Sequence, residues 1–424
     1  MEIIKEFNLT LDSLSITGTQ IAEKVLGARR IHGIDLQRIE PKIYDTLLLN
    51  NQEVIDFYLS ERFKTDEKLE IMLCGVKHKL GRGGIHAAQE KVSAPKCLYL
   101  DVSGYYNLIM LNYDLLPRTI NEKGRELYEY MYHQQLELKK HPELAMKRNV
   151  YKIILLAVFG AMNNKYCEFY DPYKGDLVTI TGQIFIVDLL EKLEGKIKLF
   201  QSNTDGIMIE PANGYTEEQI LEIVKEWCNR TGFVIKPKTI YNLIQRDVNN
   251  YIYIDGEGNV VARGEAVKHS PCSENPFETD TYGSKEATII SKGIVEYLVN
   301  HKEPEQVIEE NKDNLRLFQY ICKKNSYDWL EYEENINLTV ITKKLQNVNR
   351  AFAMKDDNLL SRGMIYKYKV KDGKTSKAKV SNLPPSVFVY NDEILSKEHI
   401  KEVQQQIDYQ YYIKRIYERV LEFL

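Results

Sequence analysis

The sequence predicts a mixed α+β chain built from more than one structural unit, and three observations carry that expectation. KCLYLDV (96–102) reads as a strand, and KLFQSNTDGIMIE (198–210) reads as two strands around a turn. Helical periodicity recurs between and beyond them, most clearly in YKIILLAVFGAMNNKY (151–166). Finally, 424 residues suffice for a large core and for more than one unit.

The elements follow in order. Residues 1–95 mix helical segments with a glycine-rich connection, GRGGIHAA (81–88), which reads as a flexible link. KCLYLDV then gives a strand ending near Asp101, and Pro117 to Asn164 gives an antiparallel pair of helices. A helix from about Gly182 to Glu194 leads into the hairpin, whose turn is Asn203-Thr204-Asp205-Gly206 with Gly206 supplying positive φ. Another helix spans about Thr216 to Asn229. RDVNNYIYIDGEGNVVARGEA (246–266) reads as strand, DGEGN turn and strand. From about residue 270 the chain is expected to be helical, then β-rich, then one closing helix over LSKEHIKEVQQQIDYQYYIKRIYERVLEFL (395–424). No internal repeat is evident.

Composition narrows the class. Hydrophobic residues make up 43% and charged residues 28%, as in a soluble globular protein. No apolar stretch is long enough for a bilayer, so no membrane partner is expected, and MEIIKEFNLTLD lacks a secretory pattern. Cys74, Cys97, Cys167, Cys228, Cys272 and Cys322 show no zinc-type pairing, which fits reduced thiols in a cytoplasm. The net charge is −4, yet Lys343 to Lys379 holds eleven basic against three acidic residues, a local +8. Interleaved with Phe352, Tyr366 and Tyr368, this segment suits phosphate contact by counterion release, with Lys343, Lys344, Arg350, Lys367 and Lys369 as candidates.

Asp101 and Asp205 carry the candidate chemistry, with Lys152 between them in sequence. Two carboxylates and a cation suit phosphoryl transfer, because two hard cations roughly 3.5–4 Å apart need fixed oxygen ligands. Each residue alone also has a plainer reading. Asp101 before Ser103 and Gly104 fits a turn or helix cap, and Asp205 fits a hairpin turn. On a helix, Arg148, Lys152, Leu156 and Phe159 share one stripe, two cations above an apolar floor. Ile153, Ile154, Leu155, Val158 and Phe159 would equally serve a buried helix, but core packing does not account for Lys152.

Taken together, DVSGYYN, KIILLAVFG and QSNTDG resemble the three polymerase motifs of family B DNA polymerases, DxxSLYP, KxxxNSxYG and YxDTDS. The resemblance covers about a hundred residues closely and implies a right-hand architecture with an antiparallel-sheet palm, two-helix fingers and a mixed helical and β thumb. The implied divisions are a bracing region at 1–95, palm at 96–116, fingers at 117–164, palm again at 165–269, and thumb with the C-terminal region at 270–424. It implies that Asp101, Val102 and Asp205 bind metal, with Asp101 and Asp205 catalytic. Lys152 would contact the triphosphate, joined by Arg148, Lys140 and Phe159, and Tyr106 would be the steric gate against a 2′ hydroxyl. Lys139 and Lys147 belong to the same basic group near the helix junction. Template or primer contacts would come from Arg82, Asn203, Thr204, Tyr251 and Arg263, besides the basic segment. Asn250 and Tyr251 stand where the family has its lysine-tyrosine motif, and here the lysines are missing.

The departures are Asn203 for the first aspartate of the third motif, Leu156 and Ala157 for Asn and Ser, and Phe159 for tyrosine. A compact phage-type branch accounts for them, with a host cytoplasm as the location. A catalytically degenerate palm used as a nucleic-acid scaffold, or a subunit of a split polymerase, is the competing expectation. An RNA-templated or template-independent synthetase is a third. The expected partners are a primer-template DNA duplex, dNTPs and a separate exonuclease or replication subunit. The cofactor is two Mg²⁺ ions, with Mn²⁺ as an alternative. No early DxE-type carboxylate pair signals proofreading, and Glu278 and Asp280 are in the wrong order and place for one.

Overall fold

Local chemistry sets most of the element boundaries. The computed structural model describes residues 6, 7, 9, 15–37, 49–60, 62–267, 286–336, 339–355, 361–391 and 397–424. Cys272, Glu278 and Asp280 lie outside them, and among the described residues no disulfide joins Cys74, Cys97, Cys167, Cys228 and Cys322 to one another. Among the same residues no helix is long and apolar enough to cross a membrane. The chain divides into two units, residues 1–89 with 98–238, and residues 90–97 with 239–424.

In the first unit, α1 (Gly18–Val25) starts at a capping box of Thr17 and Gln20, and α2 (Gln52–Leu59) starts at Asn51, whose side chain accepts from Val54 N–H. Next comes a hairpin that the sequence analysis does not anticipate. Strands β1 (Leu69–Leu73) and β2 (Val76–Leu80) alternate buried and exposed residues and join through Cys74-Gly75. Both turn residues have positive φ, 48° and 74°, which matches the right-handed strand twist. Short β3 (Ala87–Ala88) and long β4 (Val92–Asp101) follow.

Helix α3 (Tyr105–Asn112) leads to the expected helix pair, α4 (Glu122–Glu137) and α5 (Ala145–Ala161), joined by single turns at Leu138–Lys140 and Pro142–Leu144. Gly124 in α4 lies against α1, since a Cβ there would come within 2.0 Å of the Leu26 carbonyl oxygen. Helix α6 (Pro172–Leu193) begins ten residues earlier than the sequence suggests. Asp171 caps it, Pro172 occupies its first position, and Arg118 holds the buried Asp171 carboxylate at 2.7 and 2.9 Å. Buried on nearly every side, α6 forms the spine of the unit. Strands β5 (Ile197–Asn203) and β6 (Gly206–Pro211) make the foreseen hairpin, and α7 (Glu217–Thr231) follows from a second capping box, Thr216 with Gln219. The neighbouring strands run β3-β5-β6-β4, all antiparallel.

In the second unit β8 (Asn250–Ile254) and β9 (Val260–Arg263) are the expected antiparallel strands around the DGEGN turn, and an additional strand, β7 (Lys238–Asp247), pairs with β8 ahead of them. Helices α8 (Thr288–Asn300) and α9 (Pro304–Asn311) precede the β-rich part. There, β10 (Tyr320–Lys323), β13 (Val348–Ala353) and β16 (Val387–Val389) form one sheet. Strands β11 (Trp329–Ile336), β12 (Thr339–Lys344), β14 (Ser361–Lys371) and β15 (Lys374–Lys379) form another, in the order β12-β11-β14-β15. The closing helix is in fact two, α10 (Lys397–Gln406) and α11 (Tyr409–Val420). Ile407 leaves the helix to bridge Met354, and Asp408 caps α11 through Tyr411 N–H.

Candidate active site

Strand register brings Asp101 and Asp205 to one end of the first unit's sheet. Asp101 lies opposite Gly206 across β4 and β6, and Val102 N–H donates to the Asp205 carbonyl at 2.8 Å. Gly206 has no positive φ, contrary to expectation, and is required for close approach instead. A Cβ there would stand 3.1 Å from the Leu100 carbonyl oxygen and 3.2 Å from the Tyr99 ring. Past Asp101 the backbone is fixed by a bridge between Val102 and Ile235 and by Ser103 N–H donating to Val234 O at 2.9 Å. Asp101 caps no helix, because α3 starts from Gly104 in a left-handed conformation without a side-chain cap.

Both carboxylates are half-buried, and their protonation is displaced accordingly. Burial, then the neighbouring charge of Asp101, pushes the Asp205 carboxyl up to about 6. Burial also raises Asp101, opposed by the cations Lys238 and Lys139 and by the Tyr99 hydroxyl, which donates to its Oδ1 at 3.4 Å. Lys238 also lies 5.8 Å from the centre of the Tyr99 ring. A half-buried carboxylate whose ionisation is opposed by a neighbouring carboxylate is one whose charged form a divalent cation would stabilise. Among the described residues no three metal-ligating side chains cluster. Such a donor set fits Mg²⁺, which takes one or two carboxylates and fills its other positions with water and phosphate oxygens.

Cations converge near this carboxylate pair. The Lys139 ammonium is lowered by desolvation and by the like charges of Lys236, Arg148 and Lys152, and raised by Asp101. Lys236 and Lys238 are not among the residues expected at the site. Their alternation around Pro237 in KPK was the available signal. Lys140 and Lys147 instead engage acids, Glu137 at 2.8 Å and Glu6 at 2.9 Å.

On α5 the core takes Val150, Tyr151, Ile154, Leu155 and Val158, while Ile153, expected inside, is exposed. Arg148, Lys152, Leu156 and Phe159 occupy the outer stripe, with Leu156 57% exposed. The Phe159 ring meets Tyr106 at 4.3 Å between centroids. Tyr106 also bonds the Thr204 hydroxyl and packs where a Cβ on Gly182 would come within 3.2 Å. Its phenol is raised by burial and by Asp205. Asn203 Oδ1 accepts from Thr204 N–H at 2.9 Å, which tightens the turn.

The glycine-rich segment is not a flexible link. Buried Gln183 clamps it, its amide nitrogen donating to Gly81 O at 2.8 Å and Gly83 O at 2.6 Å and its oxygen accepting from Gly81 N–H at 3.1 Å. Gly84 then passes so close to the hairpin turn that a Cβ would come within 2.4 Å of Thr204 Oγ1 and 3.1 Å of His86 Nε2. Arg82 is paired with Asp176 at 3.1 Å.

The remaining candidates lie in the second unit. Tyr251 and Arg263 face each other across β8 and β9, and Tyr251 is buried. Asn250 binds Asp247 and accepts from Ala266 N–H at 3.1 Å, a structural task. The basic segment does not form one patch. Residue alternation sends Lys344, Arg362, Lys377 and Lys379 to one face of the four-stranded sheet, and Lys343, Lys367, Lys369, Lys371 and Lys374 to the other. Arg350 sits on β13 in the other sheet, bonded to the Asn391 carbonyl at 3.2 Å, and Phe352 is in the core.

No protein-family model and no curated protein matches the chain. Among solved structures it is similar to the family B DNA polymerase from the hyperthermophilic archaeon Pyrobaculum calidifontis, with 14% identity and a TM-score of 0.42. The similarity covers 86% of this chain and 50% of that one, so this chain spans about half of that polymerase's length. At so low a TM-score the likeness carries no weight in assigning a function.

Proposed function

We propose that the first unit carries out template-directed DNA synthesis, adding deoxynucleotides to a primer 3′ end. The observation that supports this reading most is the pairing of two half-buried carboxylates, Asp101 and Asp205, with a convergent group of cations, Lys139, Arg148, Lys152 and Lys236. In this reading Asp101 and Asp205 hold Mg²⁺, with the backbone of Val102 beside them. The bound ions supply charge stabilisation at the attacking and leaving oxygens of an in-line displacement. The four cations take the β- and γ-phosphates, orient the α-phosphate towards the primer hydroxyl and offset the charge of departing pyrophosphate. Lys140 adds to this field from the surface. Tyr106, wedged between Phe159 and α6, forms a rigid floor for the sugar and rejects a 2′ hydroxyl.

Arg82, Asn203, Thr204, Tyr251 and Arg263 are proposed to meet template or primer, and Lys343, Lys344, Arg350, Lys367 and Lys369 to contribute phosphate contacts. The compact phage-type assignment, with editing by a separate exonuclease, remains part of the proposal. The use of Asn203 to brace its own turn favours a second reading, a palm-like scaffold without turnover. Primer extension with Mg²⁺, four dNTPs and DNA or RNA templates separates the two. Extension on DNA that is lost in Asp101→Ala, with duplex binding retained, is expected. No extension by the unaltered chain on any template overturns the proposal and leaves the scaffold.

A further inference from the structure

One face of the four-stranded sheet in the second unit has the makings of a stacking platform. Residues paired directly across antiparallel strands share a face, so register places Trp329, Glu331 and Glu333 of β11 beside Tyr368, Tyr366 and Met364 of β14. Lys344 of β12 flanks this row on one side, and Lys377 and Lys379 of β15 flank it on the other. None of these residues is buried, whereas Leu330, Tyr332 and Ile365 of the opposite face are. The Trp329 and Tyr368 rings are nearly parallel, 5° apart in plane and 4.9 Å between centroids. Lys377 Nζ stands 4.1 Å from the Tyr366 ring centre, and Lys344 Nζ stands 5.9 Å from that of Trp329.

We propose that this face binds an unpaired DNA strand, whose bases stack on Trp329, Tyr366 and Tyr368 while its phosphates meet Lys344, Lys377 and Lys379. Charge complementarity carries the choice of occupant, because the three lysines occupy the two outer strands and the aromatic rings the two inner ones, with Arg362 beyond the rings on β14. A single strand with bases turned inward matches that order. A duplex keeps its base faces stacked within itself and offers nothing to the rings. Glu333 pairs with Lys377, so a phosphate arriving there competes with that carboxylate, whereas no ion pair links Glu331 or Glu333 to Lys344 or Lys379 among the described residues. Glu331 and Glu333 each accept from the Tyr368 hydroxyl at 3.2 Å, in the inner rows, where a carboxylate meets base amino groups rather than phosphates. This inference shares Lys344 with the proposed phosphate contacts but uses no residue of the first unit, so it can fail without the catalytic proposal failing.

Tryptophan emission tests it. The chain has two tryptophans, and Trp227 is 1% exposed in the first unit's core, so quenching by DNA reports Trp329. The full chain is titrated with oligothymidylate and with a duplex of equal length. Saturable quenching by the single strand is expected, with none in Trp329→Phe. Tyr366→Ala should weaken single-strand binding about tenfold. The doubly substituted Lys344→Gln and Lys379→Gln chain, which alters only exposed side-chain ends, should flatten the log–log salt slope by about 1.4. Absence of quenching, equal quenching by duplex, or an unaltered salt slope in the lysine variant overturns the proposal.

Discussion

Asp205→Asn removes a charge that the fold tolerates at a cost, so the variant should be more stable than the parent when divalent ions are absent. The carboxyl titrates near 6 in the folded chain because burial and Asp101 disfavour its ionised form. In an unfolded chain it titrates near ~3.9, so full ionisation at pH 7 corresponds to a cost of up to ~3 kcal/mol. Solvent reaches the half-buried turn, and discounting for it leaves about 1–2 kcal/mol. The sign is set by proton binding. Between about pH 4 and 6 the folded state holds a proton that the unfolded state has released, so stability falls as pH rises through this window and stays lower above it. The amide has no such dependence. Thermal unfolding in a chelating buffer at pH 7 should show the first unit of Asp205→Asn melting roughly 2–6 °C higher, with a flatter profile between pH 4 and 6. Added Mg²⁺ should then stabilise the parent and leave the variant nearly unaffected. If Asp205→Asn proves less stable than the parent at pH 7, with the same pH profile, the claim that the two carboxylates strain one another is refuted.

Three further outcomes follow from the same geometry. Gly206→Ala forces a methyl against the Leu100 carbonyl and the Tyr99 ring, and should cost about 1–3 kcal/mol in denaturant unfolding; a neutral substitution would mean the strands are not so close. Gln183→Leu leaves backbone groups of Gly81 and Gly83 without partners and should cost about 1–3 kcal/mol, with faster amide exchange confined to residues 81–84; unchanged exchange would show that the clamp is not needed. Lys139→Ala and Lys152→Ala should each raise the KM for deoxynucleotide more than they weaken primer-template binding, as steady-state kinetics and filter binding can read separately; the opposite pattern would move these lysines to the DNA.

Much of the fold is readable because its cues are local. The Asn203-Thr204-Asp205-Gly206 turn, the capping box at Thr216 and the stripe from Arg148 to Phe159 each lie within a few residues of chain. The failures needed information from far away. Gln183 sits a hundred residues beyond the glycines it clamps, so GRGG reads as slack chain. Lys238 comes near Asp101, and Lys236 near Lys139, where Ile235 bridges Val102, a pairing that no local pattern announces. Ile407 leaves its helix because Met354 offers it a bridge. Two misses were local after all. The period-2 rule, applied to the adjacent Lys343 and Lys344, would have divided the basic segment between two faces, and Asp171-Pro172 was an unread helix start.

Paramagnetic resonance of Mn²⁺ tests the central claim most directly, namely that Asp101 and Asp205 jointly hold a divalent ion. In the presence of a non-hydrolysable deoxynucleotide the parent chain should bind Mn²⁺, and either Asp101→Asn or Asp205→Asn alone should remove most of that binding. Undiminished Mn²⁺ affinity in both single variants would contradict a shared site.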